Sequence, residues 1–160
     1  GKAIVTDKMP QNFRFIPLVC AAFPEAKIIH VKRDPRATCW SNFKTYFTAK
    51  GLGYSYNLGD TVNYYKLYLD LMNFWSQSYS GRIYNLDYDA LTENQELETK
   101  RLLDYIGLTL EETCLSPEDN KRSVRTASNL QVRRRVYRGS SDSWRKYEQF
   151  LDNAFNKLAN

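Results

Sequence analysis

The order of strand-like and helix-like segments predicts an α/β protein with a parallel sheet. Three short strand-like runs lie at 3–6, 27–32 and 82–86, and at least one segment with helical spacing of apolar residues separates each from the next. Strands connected through helices run parallel. With 42% hydrophobic and 14% aromatic residues among 160, the chain can bury a core as a single domain over 1–160.

Helical signals account for most of the remaining chain. Asp34 is the predicted N-cap of the second helix and Pro35 its first residue. Thr92 and Gln95 form a predicted capping box, and Gly107 ends that helix. The aromatic stripe of the longest helix is interpreted as core because its spacing is that of any buried helix. The predicted helices cover about 13–23, 35–47, 60–80 and 92–106, with a last one from 144.

The excess positive charge is confined to one segment. Seven of the 23 basic residues and no acidic residue lie in 121–141, so the rest of the chain carries 16 basic against 18 acidic residues. This pattern predicts one basic, lid-like segment rather than a uniformly basic nucleic-acid coat.

Cysteine usage and hydropathy point to a soluble protein of a reduced, cytosol-like compartment. Three widely spaced cysteines and the single His30 offer no zinc-ligand spacing, so no metal is expected. No apolar run approaches the roughly 20 residues of a membrane-spanning helix, and there is no signal-peptide pattern.

Polar side chains follow each of the three predicted strands. Lys8, Arg33 and Tyr88 come just after the runs, and the carboxyl ends of parallel strands are where ligands bind in an open sheet. Arg33 precedes a helix N-terminus, where an anion is favoured, and its guanidinium can fork onto phosphate oxygens. Ser41, on the helix that follows, is a candidate hydroxyl partner. These residues predict a site for a phosphorylated, nucleotide-like ligand.

Residues 23–41, which read FPEAKIIHVKRDPRATCWS, carry a more specific pattern. They closely resemble the 3′-phosphate-binding segment of sulfotransferases that use 3′-phosphoadenosine 5′-phosphosulfate (PAPS). That family has a strand ending in Arg-Asp-Pro and a serine eight residues after the arginine. The resemblance implies that Arg33 and Ser41 hold the 3′-phosphate.

Three further segments resemble the same family. The DKMP segment is similar to a Lys-x-Pro segment, which implies that Lys8 lies beside the transferring sulfuryl group. The segment beginning at Tyr88 resembles a Tyr-Glu-x-Leu segment whose tyrosine contacts the nucleotide. Residues 125–133 resemble a late loop with a catalytic serine, which implies a catalytic Ser128 and a cofactor-binding Arg133. The likeness is nearest to protein-tyrosine sulfotransferases and to bacterial enzymes linked to tetratricopeptide repeats.

The resemblance implies a fold and a reaction. The fold is a three-layer, P-loop-NTPase-like parallel sheet flanked by helices, and the reaction moves a sulfuryl group from PAPS to an acceptor hydroxyl. Adenosine 3′,5′-bisphosphate is the leaving product, and no metal is involved. The acceptor stays open between carbohydrate, peptide tyrosine and a small molecule.

One part of the family pattern is missing from the chain. No glycine-rich run ends in Gly-Thr-Thr or Gly-Lys-Ser, so no loop for the 5′-phosphosulfate is recognised. The expectation is a domain incomplete at its N-terminus, with the catalytic base further upstream and weak or no activity of its own. An incomplete sheet would leave a free edge, through which a homo-oligomer could form.

Two other functions remain as alternatives. The first is a nucleic-acid-binding module that uses segment 121–141 with Tyr137 and Trp144 for base stacking. The second is a nucleotide kinase, against which the missing phosphate loop also argues. The sequence favours the sulfotransferase over both, and nucleic acid is not the expected partner.

Overall fold

A computed structural model describes residues 4–120, 133–151 and 153–158. Five α-helices and two β-strands form the framework of this part of the chain, with 3₁₀ helices between and after them. In chain order the regular elements are α1 (Ile16–Ala22), β1 (Ile28–Lys32), α2 (Pro35–Phe43), α3 (Leu58–Ser78), β2 (Ile83–Asp87), α4 (Tyr88–Glu93) and α5 (Gln95–Ile106). The 3₁₀ helices are Pro10–Phe15, Gly53–Tyr56, Glu112–Leu115, Pro117–Asp119, Ser140–Phe150 and Ala154–Leu158.

The sheet is small and parallel. β1 pairs with β2 from Ile28↔Ile83 to Lys32↔Asp87, so both strands end at the same edge. The α2–α3 connection makes the crossover that parallel pairing requires. The predicted parallel order is therefore confirmed for these two strands.

The prediction of a strand at 3–6 is wrong for residues 4–6, which are the described part of that segment. Residues 4–9 have no regular structure, and the Val5 side chain is 86% exposed. β-branched residues favour a strand only where a neighbouring strand pairs with the backbone and the side chains pack. Among the described residues β1 has β2 as its only strand neighbour, and Ile29 and Val31 are exposed.

Helices lie against both faces of the sheet. On one face Ile28 and Ile83 pack with residues of α1 and α3 around buried Ile16, Cys20 and Met72. On the other face the ring of Tyr84 stacks on that of Tyr105 of α5, with their centroids 5.0 Å apart. The alternation of side chains along a strand produces this two-sided burial. The protein is a helix-rich α/β fold with a small parallel sheet, while the larger P-loop-like sheet stays a prediction.

A second buried cluster joins the middle of the chain to its C-terminal part. It contains Ala37 and Cys39 of α2, Val62 of α3, and three residues from beyond 139, namely Trp144, Leu151 and Phe155. The interpretation of the α3 stripe as core is confirmed for Met72, Tyr68 and Trp75, whereas Leu67 is exposed. This cluster holds segment 140–158 against α2 and α3.

Several predicted boundaries shift for local reasons. α2 ends at Phe43 rather than near residue 47. Just after this end, the Thr45 hydroxyl donates to the Ser41 carbonyl at 2.7 Å. Such back-bonding by threonine competes with helix continuation.

The predicted capping box at Thr92 is wrong. The Thr92 hydroxyl donates to the Asp89 carbonyl inside α4, and Asn94 is the N-cap of α5. Gly107 ends α5 in the left-handed region, at φ 78°, as expected. The last predicted helix is 3₁₀ in form and begins at Ser140. No helix in the described ranges is long and apolar enough to cross a membrane.

Candidate nucleotide-binding site

Arg33 and Tyr88 meet at the edge where both strands end. Each is the first residue after its strand. The last residues of the two strands, Lys32 and Asp87, pair with each other, so Arg33 and Tyr88 leave the sheet at the same edge. The Arg33 guanidinium carbon lies 5.0 Å from the centroid of the Tyr88 ring. A guanidinium stacks favourably on an aromatic face, which covers one side of its plane. Two of the residues predicted for this site are therefore neighbours.

Arg33 also contacts two serines that the sequence did not single out. Its Nε donates to the Ser141 hydroxyl at 2.9 Å, and its Nη2 donates to the Ser140 hydroxyl at 3.1 Å. These serines are 108 and 107 residues away along the chain. Nε and Nη2 form the edge with which arginine binds phosphate or carboxylate in a bidentate manner. In this structure two hydroxyl groups of the protein use that edge.

The serine pair lies at the start of the C-terminal part of the chain. Gly139 adopts φ 77°, a left-handed conformation that glycine tolerates, and the 3₁₀ helix Ser140–Phe150 begins directly after it. Four residues into this helix Trp144 is only 2% exposed and anchors the segment in the core. Gly139 and Trp144 were visible in the sequence, but neither indicated that the serines between them reach Arg33.

Asp89 is a second residue that sequence reasoning missed. Its Oδ1 accepts a hydrogen bond from the Ser141 hydroxyl at 2.5 Å, and its Oδ2 lies 3.5 Å from the backbone nitrogen of Asp34. It is the second residue of α4, whose N-cap Asp87 accepts from the backbone N–H of Asp89 at 2.9 Å. The Asp89 carboxylate thus joins the β1–α2 turn to the C-terminal segment.

The N-terminus of α2 has fewer free N–H donors for an anion than the sequence suggested. The Asp34 side chain accepts from the N–H of Ala37 at 2.7 Å, which confirms Asp34 as the N-cap. Pro35 has no N–H to donate. With one first-turn donor bonded and another missing, this helix end has fewer free N–H groups than an uncapped one.

Ser41 lies two helical turns away from this edge. It is half-buried in the last turn of α2, roughly 10 Å along the axis from the helix start at 1.5 Å per residue. No hydrogen bond connects the side chains of Ser41 and Arg33 in the described part of the protein. The binding of one phosphate by Arg33 and Ser41 stays a prediction.

Lys8 lies in the irregular segment before the first 3₁₀ helix. Its side chain is exposed, and its ammonium group makes no hydrogen bond or ion pair with any residue in the described ranges. The neighbouring Asp7 accepts a hydrogen bond from Asn12 Nδ2 at 2.5 Å. The role of Lys8 beside the transferring sulfuryl group stays a prediction.

Part of the predicted lid falls outside the described residues. Ser128 and the rest of 121–132 belong to this part. Arg133 is exposed at the start of the described C-terminal stretch. Of the basic residues that follow, Arg135 forms a salt bridge with Glu118 at 3.4 Å, and Arg138 donates to the Glu93 carbonyl at 2.7 Å. Two of the arginines of the basic segment are thus bonded to the protein itself.

A groove of about 250 Å³ opens beside the Arg33 edge. Four acidic residues and one basic residue contribute to its lining, so an anion inside it would be repelled. The described residues contain no group of three or more His, Cys, Asp or Glu side chains arranged for a metal ion. The groove is lined by Asp34, Asp89, Thr92, Glu93, Gly139, Ser141, Asp142, Trp144 and Arg145.

His30 is held in a polar cluster inside the α3 face of the sheet. Its Nδ1 lies 2.8 Å from Asn85 Oδ1, and its Nε2 contacts the Tyr68 hydroxyl. Because the amide oxygen only accepts, Nδ1 carries the proton and Nε2 accepts from Tyr68. Burial lowers the pKa of His30, and nearby Lys32 lowers it further, while the Asn85 bond opposes the shift. Both ring nitrogens of His30 are therefore hydrogen-bonded within the protein.

The cysteines add no nucleophile to the site. All three are free, and Cys39 is fully buried. Burial, helped by the nearby charge of Asp34, raises the pKa of the Cys39 thiol to about 12. A thiol with that pKa stays protonated at neutral pH and does not attack.

Comparison with known proteins is consistent with the geometry at the strand ends. A family model described as the Sulfotransferase family matches residues 1–112. A protein of Aquifex aeolicus (strain VF5), described as an uncharacterized protein, is 38% identical over 152 residues. The alignment covers 92% of this chain and 20% of that protein, so the chain spans about a fifth of the relative's length. The family match covers more than half of the chain, and the protein therefore belongs to the sulfotransferase family.

Proposed function

We propose that this chain binds the 3′-phosphate side of PAPS in a sulfotransferase that transfers a sulfuryl group to an acceptor hydroxyl. The observation that carries the proposal is the Arg33 guanidinium, which lies at the carboxyl end of β1, stacked on Tyr88 and fixed by two serines. Membership of the sulfotransferase family supports the reaction class. The acceptor is a hydroxyl of a carbohydrate, a peptide tyrosine or a small molecule.

The donor groups near Arg33 fit a phosphate. A guanidinium has five N–H donors, and the two serines accept from Nε and Nη2. Within the described ranges, the N–H groups of Nη1 and the second N–H of Nη2 have no protein acceptor and can bind a ligand. Because the groove beside Ser141 is acidic, we expect the phosphate on the Nη1 and Nη2 side of the guanidinium. Tyr88 lies where the nucleoside next to that phosphate could contact its ring.

The proposed reaction is an in-line transfer. A bond forms between the acceptor oxygen and sulfur while the bond from sulfur to the 5′-phosphate oxygen breaks, and the acceptor proton passes to a base. Negative charge develops on the leaving oxygen, where a cation stabilises the transition state. Lys8 would supply that cation, and Ser128 would donate a hydrogen bond.

The remaining predicted residues would orient the cosubstrate. Arg33 and Ser41 would fix the 3′-phosphate end so that the sulfuryl group meets the acceptor in line. Arg133 and the rest of segment 121–141 would close over the nucleotide. No metal is part of the proposal, since a lysine supplies the charge that a metal would otherwise provide.

Binding of adenosine 3′,5′-bisphosphate to the 160-residue chain, measured by isothermal titration calorimetry, tests this proposal. Arg33→Ala should abolish measurable binding, because a charge-assisted bidentate contact is lost. Arg101→Ala is the matched control, since it removes one exposed arginine on α5 that pairs only with Glu98. No affinity in the unmodified chain, or an Arg33→Ala variant that binds as well, would contradict the proposal.

The nucleic-acid alternative is distinguished in the same material. It requires binding of single-stranded RNA that weakens with salt and ignores Arg33. Glu118 partly compensates the charge of Arg135, and the Glu93 carbonyl occupies one N–H donor of Arg138, so these two arginines offer less to phosphates. The structure therefore gives this alternative no additional support.

A further inference from the structure

Asp89 lies where three segments of the protein meet. Its Oδ1 accepts from Ser141 of the C-terminal segment at 2.5 Å, and its Oδ2 lies 3.5 Å from the backbone nitrogen of Asp34 in the β1–α2 turn. Asp89 itself belongs to the first turn of α4, next to Tyr88. One half-buried carboxylate therefore connects α4, the β1–α2 turn and the C-terminal segment.

The direction of the hydrogen bonds follows from the chemistry of the groups. A carboxylate only accepts, so the hydroxyl proton of Ser141 points to Asp89. The lone pairs of the same oxygen are then free to accept from Arg33 Nε, at 2.9 Å. Without Asp89 the hydroxyl would rotate and its lone pairs would lose their fixed direction. Asp89 thus sets the orientation of Ser141 towards Arg33.

The guanidinium is held on one edge and one face as a result. Ser140 and Ser141 accept from its Nε and Nη2, and the Tyr88 ring covers its plane at 5.0 Å. Among the described residues no hydrogen bond uses the opposite edge, formed by Nη1 and Nη2, which can therefore take a ligand. An arginine whose rotamer is fixed before binding loses less conformational entropy when the ligand arrives.

We propose that Asp89 is a positioning residue for the 3′-phosphate, acting through Ser141 on the Arg33 guanidinium. This inference rests on the proposed function. The direction in which Asp89 changes the affinity for the phosphate is informative, because a carboxylate near an anion site opposes binding by its charge. Asp89 can favour the phosphate only if the orientation of Ser141 and Arg33 outweighs that repulsion.

The experiment compares two nucleotides in the 160-residue chain by calorimetry. Adenosine 3′,5′-bisphosphate carries the 3′-phosphate and adenosine 5′-monophosphate lacks it. Asp89→Ala should lower the affinity for the bisphosphate about tenfold, as expected for the loss of a charge-assisted hydrogen bond. The affinity for the monophosphate should change by less than about twofold. Asp89→Asn keeps an oxygen acceptor for Ser141 and should recover most of the affinity.

Glu93→Gln is the matched control for charge. Glu93 lines the same groove, and among the described residues no hydrogen bond joins its side chain to Ser141 or Arg33. This variant should bind the bisphosphate as tightly as the unmodified chain, or slightly more tightly. An Asp89→Ala variant that binds as well as the unmodified chain overturns the inference, and so does an equal loss for both nucleotides.

A ligand-free measurement separates this inference from the proposed function. Hydrogen exchange of the amides in 139–145 should accelerate about tenfold in Asp89→Ala, because the segment loses its bond to α4. Unchanged exchange there overturns the positioning contact even if nucleotide binds. Absence of bisphosphate binding by the unmodified chain, in contrast, overturns the proposed function and the phosphate role together.

Discussion

The Arg33 edge and the Lys8 segment were predicted from the same signal, a cation after a strand-like run, but the structure supports them very differently. Arg33 donates to two serine hydroxyls and stacks on Tyr88. Lys8 is exposed, and its ammonium has no partner within the described ranges. A cation after a β-branched run is thus held in place only when the run itself becomes a paired strand.

The pairing explains the difference. β1 has five residues in register with β2 and is covered by α3, so the residue that follows it leaves the sheet at a fixed point. Residues 4–9 have no strand partner in the described part of the protein, and Ile4 and Val5 remain exposed. Arg33 is therefore positioned before a ligand binds, whereas Lys8 would lose side-chain entropy on binding.

The largest expected effect concerns the segment that supports Arg33. Trp144 is 2% exposed and packs on Phe155, with ring centroids 5.4 Å apart. Trp144→Ala should lower the free energy of unfolding by about 3–5 kcal/mol, because a buried indole is replaced by a cavity. Urea unfolding followed by circular dichroism measures this loss.

The control for that variant is an aromatic residue on the same 3₁₀ helix. Phe150 is 69% exposed, and Phe150→Ala should change the free energy of unfolding by about 0.5 kcal/mol or less. Equal losses for the two variants would mean that segment 140–150 is not anchored by Trp144. The Arg33 edge would then need another source of support.

A smaller effect separates the two cations directly. Arg33→Ala should reduce the free energy of unfolding by about 1–3 kcal/mol, since two hydrogen bonds from a charged, half-buried group are lost. Lys8→Ala should stay within about 0.5 kcal/mol, as exposed residues without partners do. Thermal unfolding of the two variants side by side gives the comparison. A Lys8→Ala loss as large as that of Arg33→Ala would show that segment 4–9 is packed after all.

The smallest expected effect is a pH dependence that comes from β1. Burial lowers the pKa of His30 below its ordinary value near 6.5, so the unfolded chain binds the proton more readily than the folded protein. The stability contribution is present above about pH 6.5 and is lost as the pH falls through the lower folded pKa. Burial also raises the pKa of its partner Tyr68 to about 12, so Tyr68 does not titrate in this window.

His30→Gln tests that dependence. The free energy of unfolding at pH 7.5 and pH 5.5 gives a pH slope for the unmodified chain and one for the variant. The carboxylates contribute to both slopes, so the difference between the slopes is the contribution of His30. The unmodified chain should lose more stability over this interval than the variant. Parallel slopes would mean that His30 has the same pKa in the folded and unfolded states.

Local sequence patterns predicted much of the secondary structure but fewer of the site contacts. The two paired strands, the Asp34 cap and the Gly107 helix end all depend on residues that are near each other in the chain. The capping box at Thr92 failed because Thr92 lies inside α4, where its hydroxyl donates to the Asp89 carbonyl, and Asn94 is the N-cap of α5. Sequence propensity could not decide between a capping box at Thr92 and a helix α4 that includes Thr92.

The sequence by itself determined the family, the parallel order of β1 and β2, and Arg33 with Tyr88 at the ends of those strands. Their likeness to known motifs resides in short, contiguous segments, which a single chain displays without folding. Only the tertiary structure decided that Ser140 and Ser141 bind Arg33 and that Asp89 binds Ser141. The serine contacts span more than 100 residues of chain. They arise because burial of Trp144 against α2 and α3 carries the C-terminal segment to the strand ends.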